Sequence, residues 1–469
     1  MKSDPSYTVP LFFNNVEVTS KKTFPVNNPA DNTLLWNASA ASIDDVEKVT
    51  KAAAAAFPAW SRTKYTKRRE LIRNFGAILE KRRAELIECS VLETGSSVHW
   101  AELNVTGGIS VLEHVAGTVV TINGSRAAYV TKEPYGVILE IVPWNAPIIL
   151  LIRAIFFPIA CGNSVIIKAS ETSPRTHFLV TSIAAEAGFP PGVINIISHA
   201  REDAVVITNA LIEHEVVKKI SFTGSSAVAR KLAAKAGQCL KPILLELGGK
   251  APLIVMEDAD LEAAAKDAAL GSFMHGGQVC MSTEKIIVHS AVIERFTAIF
   301  NEFSKGYGES QLLAMPGANL GIKKLVDNAV ANGAKIVGGA DAYASFEFKN
   351  SNAFPNLVLQ GITDKMDLYH TESFGPLASI ISVDSEEEAL RIANDTIFGL
   401  VASVWTKDLA RGLRMAKQID AGACHINGPT FQADPGLFPP GWKASGTGSL
   451  VGRTAFDEFL HLKITTFGI

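Results

Sequence analysis

One cysteine and one glutamate in this sequence stand in surroundings suited to covalent catalysis. Cys280 follows a Gly-Gly-Gln-Val segment, and Glu246 comes just before the pair Gly248-Gly249. Glycines beside a thiol or a carboxylate let other atoms approach closely. The pattern indicates a thiol nucleophile with a separate general base. A single cysteine is more often a small buried apolar residue, so this interpretation depends on further motifs.

Two polar turns at the ends of predicted strands are suited to bind an oxyanion and a ribose. Asn145, in Pro143-Trp144-Asn145, directly follows a predicted strand, and its amide could donate a hydrogen bond to an oxyanion. The alternative is an ordinary asparagine turn. Lys168 and Glu171 follow the next strand, where parallel sheets bind their ligands. Their alternative is a simple ion pair on the surface.

Two further turns have a composition suited to nucleotide contacts. The segment from Phe222 to Ser226 follows a strand and opens a helix, so it predicts either a phosphate site or a plain helix cap. Glu372 and Phe374 lie close together in another turn, where the acid could meet ribose hydroxyls and the ring a planar heterocycle. No Gly-x-Gly-x-x-Gly follows a predicted strand, so the standard dinucleotide fingerprint is absent.

The elements that must position these residues form two α/β blocks. In the first block, near-continuous apolar runs alternate with helical patterns, which is typical of a parallel sheet covered on both faces. The predicted strands are 137–142, 164–168, 193–197, 219–222 and 243–246, and the predicted helices are about 175–187, 201–213 and 225–237.

The second block runs from about residue 252 to 430. Glu246 ends the first block and Cys280 lies in the second, so we expect the active site at the junction of two domains. Outside the blocks, two long helices are predicted at 45–57 and 67–92, and a late strand at 462–467 has no partner nearby in sequence. The second block's predicted strands are 253–255, 285–288, 377–383 and 401–405, and its helices are about 260–272, 290–305, 320–333 and 385–395.

Size and composition exclude several classes of protein. A chain of 469 residues predicts two or three domains, and its net charge of −3 argues against a nucleic-acid or anionic-membrane surface. The N-terminus has no apolar signal region, and the longest apolar stretch, 148–161, is interrupted by Arg153 and too short for a bilayer. Five cysteines without paired spacing favour a reducing, cytoplasmic compartment. No Cys/His cluster has zinc spacing, so we expect no metal site.

Together, the motifs resemble those of the aldehyde dehydrogenase superfamily over nearly the whole chain, from about Leu11 to Phe467. Their order and spacing carry the resemblance: Pro143-Trp144-Asn145, Lys168-x-x-Glu171, Phe222-Thr223-Gly224-Ser225, Glu246-Leu247-Gly248-Gly249-Lys250, Gly277-Gln278-x-Cys280 and Glu372-x-Phe374-Gly375-Pro376. Three segments make the chain similar to the branch of salicylaldehyde, vanillin and benzaldehyde dehydrogenases: Cys280-Met281-Ser282-Thr283-Glu284, Cys424-His425-Ile426-Asn427-Gly428 and Asp457-Glu458-Phe459.

The resemblance implies catalytic and substrate-binding roles. Cys280 would be the nucleophile, with its thiolate accessible near neutral pH, and Glu246 would activate the deacylating water. Asn145 and the Cys280 backbone N–H would form the oxyanion hole. The substrate would meet Trp100, Ala146, Arg153 and Met274.

The resemblance also implies NAD as the cofactor. Lys168 and Glu171 would hold the adenosine ribose, and Ser225 with Trp144 would contact the pyrophosphate. The nicotinamide ribose and ring would contact Glu372 and Phe374. The full set of implied cofactor residues is Ile141, Pro143, Trp144, Lys168, Glu171, Phe222, Gly224, Ser225, Leu247, Glu372 and Phe374.

The implied fold is α/β, with a Rossmann-like NAD-binding domain (1–115 and 135–246), an α/β catalytic domain (247–445) and a small β extension (116–134 and 446–469). The extension would pair subunits into a homodimer or homotetramer. The implied reaction oxidises an aldehyde, expected to be aromatic, to the carboxylic acid through a thiohemiacetal and a thioester on Cys280.

Three alternatives remain beside this reaction. One is an aliphatic or semialdehyde dehydrogenase of the same fold. Another is a coenzyme A-acylating dehydrogenase, which typically lacks the base carboxylate that Glu246 provides here. The last is a non-catalytic descendant, against which the intact Cys280, Glu246 and Asn145 argue.

Two departures from the family pattern bear on these expectations. Ala229 stands where the helix-opening turn usually has a second glycine, which predicts slight crowding of helix against sheet. The usual Phe-Gly-Gly-x-Lys segment becomes Phe438-Pro439-Pro440-Gly441-Trp442-Lys443. That loop normally helps to wall the substrate tunnel, so its prolines bear on substrate specificity.

Overall fold

Two large sheets of mainly parallel strands form the core of the molecule. The computed structural model describes residues 3–117, 128–432, 434, 436–450, 452 and 454–466. The α/β fold class predicted from the sequence is confirmed.

The strands of the described residues are numbered in chain order. They are β1 (Thr8–Val9), β2 (Leu11–Phe13), β3 (Val16–Val18), β4 (Thr23–Asn27), β5 (Leu34–Ser39), β6 (Ala128–Pro134), β7 (Val137–Ile141), β8 (Ser164–Lys168), β9 (Ile194–Ile197), β10 (Val217–Thr223), β11 (Ile243–Glu246), β12 (Ala251–Val255), β13 (Thr283–His289), β14 (Ser310–Leu312), β15 (Lys335–Gly338), β16 (Ala353–Pro355), β17 (Leu357–Gln360), β18 (Leu377–Val383), β19 (Phe398–Gly399), β20 (Val401–Trp405), β21 (Ala423–Ile426), β22 (Trp442–Lys443), β23 (Gly446–Thr447) and β24 (Leu460–Thr466).

The α-helices of the same residues are numbered likewise. They are α1 (Ile43–Ser61), α2 (Tyr65–Lys81), α3 (Arg83–Thr94), α4 (Val98–Gly117), α5 (Ile149–Ala160), α6 (Pro174–Glu186), α7 (Ala204–Glu213), α8 (Ser226–Gln238), α9 (Leu261–Phe273), α10 (Ile293–Lys305), α11 (Ala318–Ala331), α12 (Ala340–Ser345), α13 (Asp367–His370), α14 (Glu386–Asn394), α15 (Leu409–Ala416) and α16 (Thr454–Asp457).

The first sheet has the strand order β23-β11-β10-β7-β8-β9-β2-β3, and β11 to β9 run parallel. Its register places Phe222 beside Ile141, Ile141 beside Lys168, and Thr223 beside Glu246. The carboxyl ends of four neighbouring strands therefore lie at one edge, where a parallel sheet binds its ligands.

Both faces of this sheet are buried, as its apolar strands predict. Side chains alternate along a strand, so Leu139 of β7 packs into one apolar cluster and Ile138 into another. Glu140 lies on the same face of the sheet as Ile138 and is only 1% exposed. A carboxyl group is thus buried within the sheet itself.

The second sheet, ordered β15-β17-β18-β13-β12-β20-β21, is parallel from β17 to β21. The strand β12 begins directly after Lys250, and β13 begins three positions after Cys280. The second sheet therefore supplies the nucleophile, and the loop from Glu246 to Lys250 joins the two sheets.

The predicted late strand finds its partner far away in the sequence. The strands β24 and β6 pair antiparallel, from Leu460 with Pro134 to Thr466 with Ala128. Residues 118–127 of the predicted extension, and Phe467 of the predicted strand, lie outside the described residues. The domain boundaries remain predictions, and Gly446–Thr447 joins the first sheet beside β11.

Two predicted helices differ in detail from the structure. The helix predicted at 67–92 is divided into α2 and α3 at Arg82, whose φ of −94° and ψ of 10° end one helix before the next begins. The Arg82 side chain stabilises this corner by bonding Glu85 at 2.8 Å and Ser182 at 3.3 Å. The helix predicted at 201–213 begins as the 3₁₀ turn Arg201–Asp203 before α7.

Candidate active site

The loop that carries Cys280 requires its glycines. Three successive residues, His275, Gly276 and Gly277, have positive φ angles of 52°, 64° and 68°. A β-carbon on Gly277 would lie 2.0 Å from the Gly375 carbonyl oxygen, so only glycine fits there. This close approach brings the nucleophile loop against the turn that contains Glu372 and Phe374.

Gln278 fixes the same loop from within. Its amide nitrogen donates to the His275 carbonyl at 3.0 Å and to the Leu312 carbonyl at 3.1 Å, and its amide oxygen accepts from the Ala314 N–H at 3.0 Å. Gln278 is 2% exposed. The glutamine of the predicted motif therefore positions the backbone that leads to Cys280.

Asn145 lies beside this loop, as the sequence suggested. Its side-chain amide donates to the Gln278 carbonyl oxygen at 3.0 Å, and its own carbonyl accepts from the Trp100 indole N–H at 2.9 Å. An amide nitrogen has two N–H donors, so one remains for a ligand near Cys280. Asn145 is buried, which holds that donor in a fixed direction.

Glu246 ends β11 as a buried carboxyl with an unsatisfied atom. The group is 5% exposed, and its Oε1 has no hydrogen-bond partner among the described residues. Burial raises the pKa of Glu246 to about 7, and Glu458 adds to this, while Arg153 opposes it. A carboxyl with a pKa near neutrality is suited to accept and release a proton.

The surroundings of Cys280 favour the protonated thiol over the thiolate. Burial, followed by the charges of Glu372 and Glu246, raises the pKa of Cys280 to about 12, and Arg153 opposes the shift. The same groups that surround the nucleophile therefore hold its proton on the sulfur, so attack requires a nearby proton acceptor.

The expected substrate residues Trp100, Ala146 and Met274 share one apolar cluster that packs against Cys280. Ala146 is 8% exposed, and as a small residue it leaves room beside the thiol. Phe431, which the sequence did not point to, packs on the cluster and has its ring centre 5.4 Å from that of Trp100.

Arg153, the fourth expected substrate residue, lies outside this cluster on α5. It is 5% exposed, and its Nε and Nη1 have no hydrogen-bond partner among the described residues. Its guanidinium carbon lies 3.5 Å from the centre of the Phe438 ring. The atypical loop thus supplies an aromatic face for a buried cation, which is an attractive contact in a dry site.

The adenosine side of the predicted cofactor site combines an ion pair with a helix cap. Lys168 Nζ lies 3.8 Å from Glu171 Oε2 at the end of β8. Ser225 is the N-cap of α8 and accepts from the Val228 N–H at 3.4 Å. The helix cap weighed from the sequence is therefore present, whereas the Lys168–Glu171 pair is not on the surface, because its side chains are only 11% and 29% exposed.

The strand-end residues expected around the cofactor lie together. Ile141 of β7 pairs with Phe222 of the neighbouring strand β10. Pro143 and Trp144 lie shortly after the end of β7. The Gly224 N–H donates to the Glu246 carbonyl at 3.0 Å, which ties the α8 entrance to the strand that leads to Leu247.

The nicotinamide side centres on Glu372 and Phe374. Glu372 Oε1 accepts from the Gly249 N–H at 3.0 Å, and a β-carbon on Gly248 would lie 2.1 Å from Glu372 Oε2. Burial, and next the charge of Glu284, raise the pKa of Glu372 to about 8. The Phe374 ring lies edge-on to Trp144 with centres 6.0 Å apart.

This arrangement fits a dinucleotide in its chemistry. The N-terminus of α8 offers backbone N–H groups to a diphosphate, Glu171 follows the end of β8, and Glu372 lies in the turn before β18. The Ser373 hydroxyl beside Glu372 is buried without a partner among the described residues. The individual contacts remain predictions.

His275 is a site residue that the sequence analysis missed. Its ring stacks on Trp100 with centres 5.1 Å apart and planes 10° apart, and it meets Trp144 at 6.2 Å. Burial lowers the pKa of His275 to about 3, so the ring is neutral. A histidine beside the glycine pair was visible in the sequence, but nothing there indicated that it would stack on Trp100.

No helix within the described ranges is both long enough and apolar enough to cross a membrane.

The chain is similar over most of its length to known aldehyde dehydrogenases. A model of the aldehyde dehydrogenase family matches residues 16–465. The chain is 39% identical to vanillin dehydrogenase of Pseudomonas fluorescens over 462 residues, which are 95% of this chain and 94% of that protein.

Solved structures agree in fold. A salicylaldehyde dehydrogenase from Pseudomonas putida G7, in complex with salicylaldehyde, superposes with a TM-score of 0.91 at 35% identity, covering 98% of both chains. An indole-3-acetaldehyde dehydrogenase in complex with NAD⁺ superposes with a TM-score of 0.93 at 28% identity, covering 100% of this chain and 97% of the other.

Proposed function

The chain belongs to the aldehyde dehydrogenase family, and we propose that it oxidises an aromatic aldehyde to the carboxylic acid with NAD⁺ as the hydride acceptor. The observation that carries the proposal is the bond from the Asn145 amide to the Gln278 carbonyl, 3.0 Å long, beside the nucleophile. It supports a role for the Asn145 amide as an oxyanion donor close to the loop that carries Cys280.

Addition to the aldehyde begins at the Cys280 sulfur. The Cys280 sulfur attacks the carbonyl carbon as the thiol proton passes to solvent water. The carbonyl oxygen becomes an oxyanion, which receives hydrogen bonds from the free Asn145 N–H and the Cys280 backbone N–H. The product of this step is a thiohemiacetal on Cys280.

Oxidation and hydrolysis follow. When bound, NAD⁺ supplies the acceptor for the hydride, and the adduct on Cys280 becomes a thioester. The Glu246 carboxylate, with a pKa near 7, takes a proton from water as the water oxygen adds to the thioester carbon. The carbon–sulfur bond then breaks, the carboxylic acid leaves and the sulfur regains a proton.

The apolar cluster beside Cys280 supports an aromatic substrate. Ala146 leaves space at the thiol, and Trp100, Met274 and Phe431 provide flat or polarisable surfaces. Similarity to a vanillin dehydrogenase and a salicylaldehyde dehydrogenase points the same way. Arg153 would meet a ring hydroxyl or the new carboxylate, or serve only as the charge beside Glu246.

The cofactor would extend along the strand ends. Lys168 and Glu171 would hold the adenosine ribose, Ser225 and Trp144 would lie at the diphosphate, and Glu372 with Phe374 would hold the nicotinamide ribose and ring. Ile141, Pro143, Phe222, Gly224 and Leu247 would line the path between them.

Assembly and compartment complete the proposal. The β6–β24 pair exposes apolar side chains, with Leu462 at 67% and Ile464 at 71% exposed, so we expect it to pair subunits into a homodimer or homotetramer. Five free cysteines favour a reducing, cytoplasmic compartment.

An aldehyde panel tests the substrate class. Benzaldehyde, salicylaldehyde, vanillin and hexanal are compared by NADH absorbance, with and without coenzyme A. We expect the aromatic aldehydes to give the highest kcat/KM. Hexanal as the best substrate would support the aliphatic alternative, and acyl-coenzyme A as the product would support the acylating one.

Two substitutions test the chemistry. Cys280→Ala should abolish NADH formation without loss of fold, because one small side chain replaces another. Glu246→Gln should give a burst of NADH followed by turnover slower by about 10²-fold or more, because hydrolysis loses its base. Substantial NADH production by the alanine variant would exclude covalent catalysis.

A further inference from the structure

Lys250 and Glu284 form a buried ion pair next to the active site. Lys250 Nζ lies 2.5 Å from Glu284 Oε2, and the two side chains are only 1% and 5% exposed. A buried ion pair is weak evidence for stability, because desolvation offsets much of its attraction. The remaining contacts of the two side chains therefore indicate what the pair does.

Every further bond of this pair goes to the backbone around Glu372. Glu284 accepts from the Ser373 N–H at 2.9 and 3.0 Å and from the Phe374 N–H at 3.3 Å. Lys250 donates to the Thr371 carbonyl at 2.7 Å. The pair thus holds the chain on both sides of Glu372, whose own carboxylate accepts from the Gly249 N–H.

The turn has a conformation that needs such support. Phe374 has a φ of +47°, in the left-handed region that bulky residues rarely adopt. A carboxylate that accepts two successive backbone N–H groups stabilises this conformation through charge-assisted hydrogen bonds. Lys250 in turn neutralises the carboxylate that would otherwise be buried alone.

The positions of the two residues in the sequence link three parts of the site. Lys250 follows Glu246 by one short loop, and Glu284 follows Cys280 by another. The pair therefore joins the base loop, the nucleophile strand and the turn of Glu372 and Phe374 into one unit.

We propose that Glu284, braced by Lys250, is the positioning residue for the nicotinamide half of the cofactor. This inference rests on the proposed function, which assigns Glu372 and Phe374 to that half. Glu284 itself touches neither substrate nor cofactor. It acts by fixing the backbone from which Glu372 and Phe374 reach the ligand.

The proposal predicts a split between the two halves of the dinucleotide. The adenosine-side residues Lys168, Glu171 and Ser225 belong to the first sheet and have no bond to the pair. ADP-ribose lacks the nicotinamide, so its binding should not depend on Glu284, whereas binding of NAD⁺ should.

Glu284→Gln is the test variant, and Asp258→Asn is its matched control. Asp258 accepts from the Lys407 and Asp408 N–H groups at 2.9 and 3.2 Å and lies near Arg411 at 3.7 Å. It therefore holds a turn with a carboxylate and a cation in the same way, but beyond the end of β12 that is remote from Lys250.

Binding of NAD⁺ and of ADP-ribose is measured by calorimetry, and the first turnover by stopped flow. In Glu284→Gln we expect NAD⁺ affinity and the NADH burst rate to fall by about tenfold, as loss of one charge-assisted bond permits. The affinity of Glu284→Gln for ADP-ribose should stay within about twofold of the parent. Asp258→Asn should leave the affinities for both NAD⁺ and ADP-ribose within the same limit.

Two double variants separate positioning from simple destabilisation. Lys250→Met/Glu284→Gln removes the unpaired lysine; it should recover thermal stability but not NAD⁺ affinity. Glu284→Gln/Glu372→Gln should be less than additive on NAD⁺ affinity, because both changes act through one turn.

Equal losses of NAD⁺ and ADP-ribose affinity, no loss of either, or additive effects in the Glu284/Glu372 pair would each overturn the proposal. A parent protein that forms no NADH with any aldehyde would contradict the proposed function instead. The ratio of NAD⁺ to ADP-ribose affinity would still decide the role of Glu284.

Discussion

The indole N–H of Trp100 donates to the backbone carbonyl of Asn145 at 2.9 Å, which ties the start of α4 to the loop of the oxyanion donor. One face of the same indole is covered by His275. Trp100 was expected to contact the substrate, and that remains a prediction. Its hydrogen bond gives it a second task, which is to hold the Asn145 backbone.

Trp100→Phe separates these two tasks, because phenylalanine keeps a ring and loses the N–H donor. The buried Asn145 carbonyl would be left unsatisfied at a cost of about 1–3 kcal/mol. We expect the NADH burst rate in stopped flow to fall about tenfold with a small change in KM for the aldehyde. Phe431→Leu, which trims a ring contact of Trp100 but keeps the bond, is the control. A burst rate within twofold of the parent would argue against the anchoring role.

The pH dependence of turnover should report Glu246. Its pKa is raised to about 7, and only the carboxylate form is a base, so deacylation-limited kcat should fall as pH drops below about 7. The positive charge of Arg153 lowers this pKa. Arg153→Leu should therefore move the acid limb to higher pH, and Arg153→Lys should leave it near the parent position.

Benzaldehyde is the substrate for that titration, because it has no ring hydroxyl for Arg153 to meet. If the pH at which kcat falls on the acid side is unchanged or lower in Arg153→Leu, then Arg153 does not lower the pKa of Glu246.

Glu140 should make the protein less stable as pH rises. Burial raises its pKa from 4.5 to about 8, so the folded state binds the proton more tightly than the unfolded state. The stability this provides is complete below about pH 4.5 and is lost as pH rises through about 8. Glu140→Gln, which stays neutral, should gain about 4 kcal/mol relative to the parent between pH 5 and pH 8.5.

Thermal unfolding at the two pH values measures this gain. Glu302→Gln is the control, because the Glu302 side chain is 71% exposed. A Glu140→Gln variant that differs from the parent equally at both pH values would mean that Glu140 is already ionised in the folded protein.

Coenzyme preference should depend on Glu171. A carboxylate at the adenosine ribose repels a 2′-phosphate, whereas Lys168 at 3.8 Å would attract it. Burial opposes ionisation of Glu171, but the charge of Lys168 and, more weakly, those of His199 and Arg201 lower its pKa on balance. We expect NAD⁺ to be preferred by the parent, and Glu171→Gln to raise kcat/KM for NADP⁺ about tenfold relative to NAD⁺, the effect of about 1.4 kcal/mol.

Glu186→Gln, at the far and exposed end of α6, serves as the control for that series. A parent protein with equal kcat/KM for NADP⁺ and NAD⁺ would contradict the assignment of Glu171.

The sequence predicted the sheets well because their strands are near-continuous apolar runs. All five strands of the first block appear within two residues of their predicted ends, as in Ser164–Lys168 and Ile243–Glu246. The five N-terminal strands were not predicted, and three of them, such as Thr8–Val9, have only two or three residues, which carry too little pattern. The break at Arg82 has no glycine or proline to announce it.

Within the site, the sequence could indicate residues but not most of their contacts. Asn145 was expected near Cys280 because both belong to motifs, and its amide does bond the loop of Cys280. Neither the stack of His275 on Trp100 nor the Lys250–Glu284 pair has a local signal, because each contact forms only after distant segments pack.

The last segment of the chain closes a sheet that began far earlier. Gly446–Thr447 adds a strand beside Ile243–Glu246, and Phe456 and Phe459 enter the core that lies under the first sheet. Glu458 pairs with Lys219, which is 4% exposed, at 2.9 Å. During synthesis the first sheet therefore emerges from the ribosome with a buried lysine and an apolar face still uncovered. Such contacts of high sequence separation form slowly, so the first sheet cannot be completed until residues 446–459 have been synthesised.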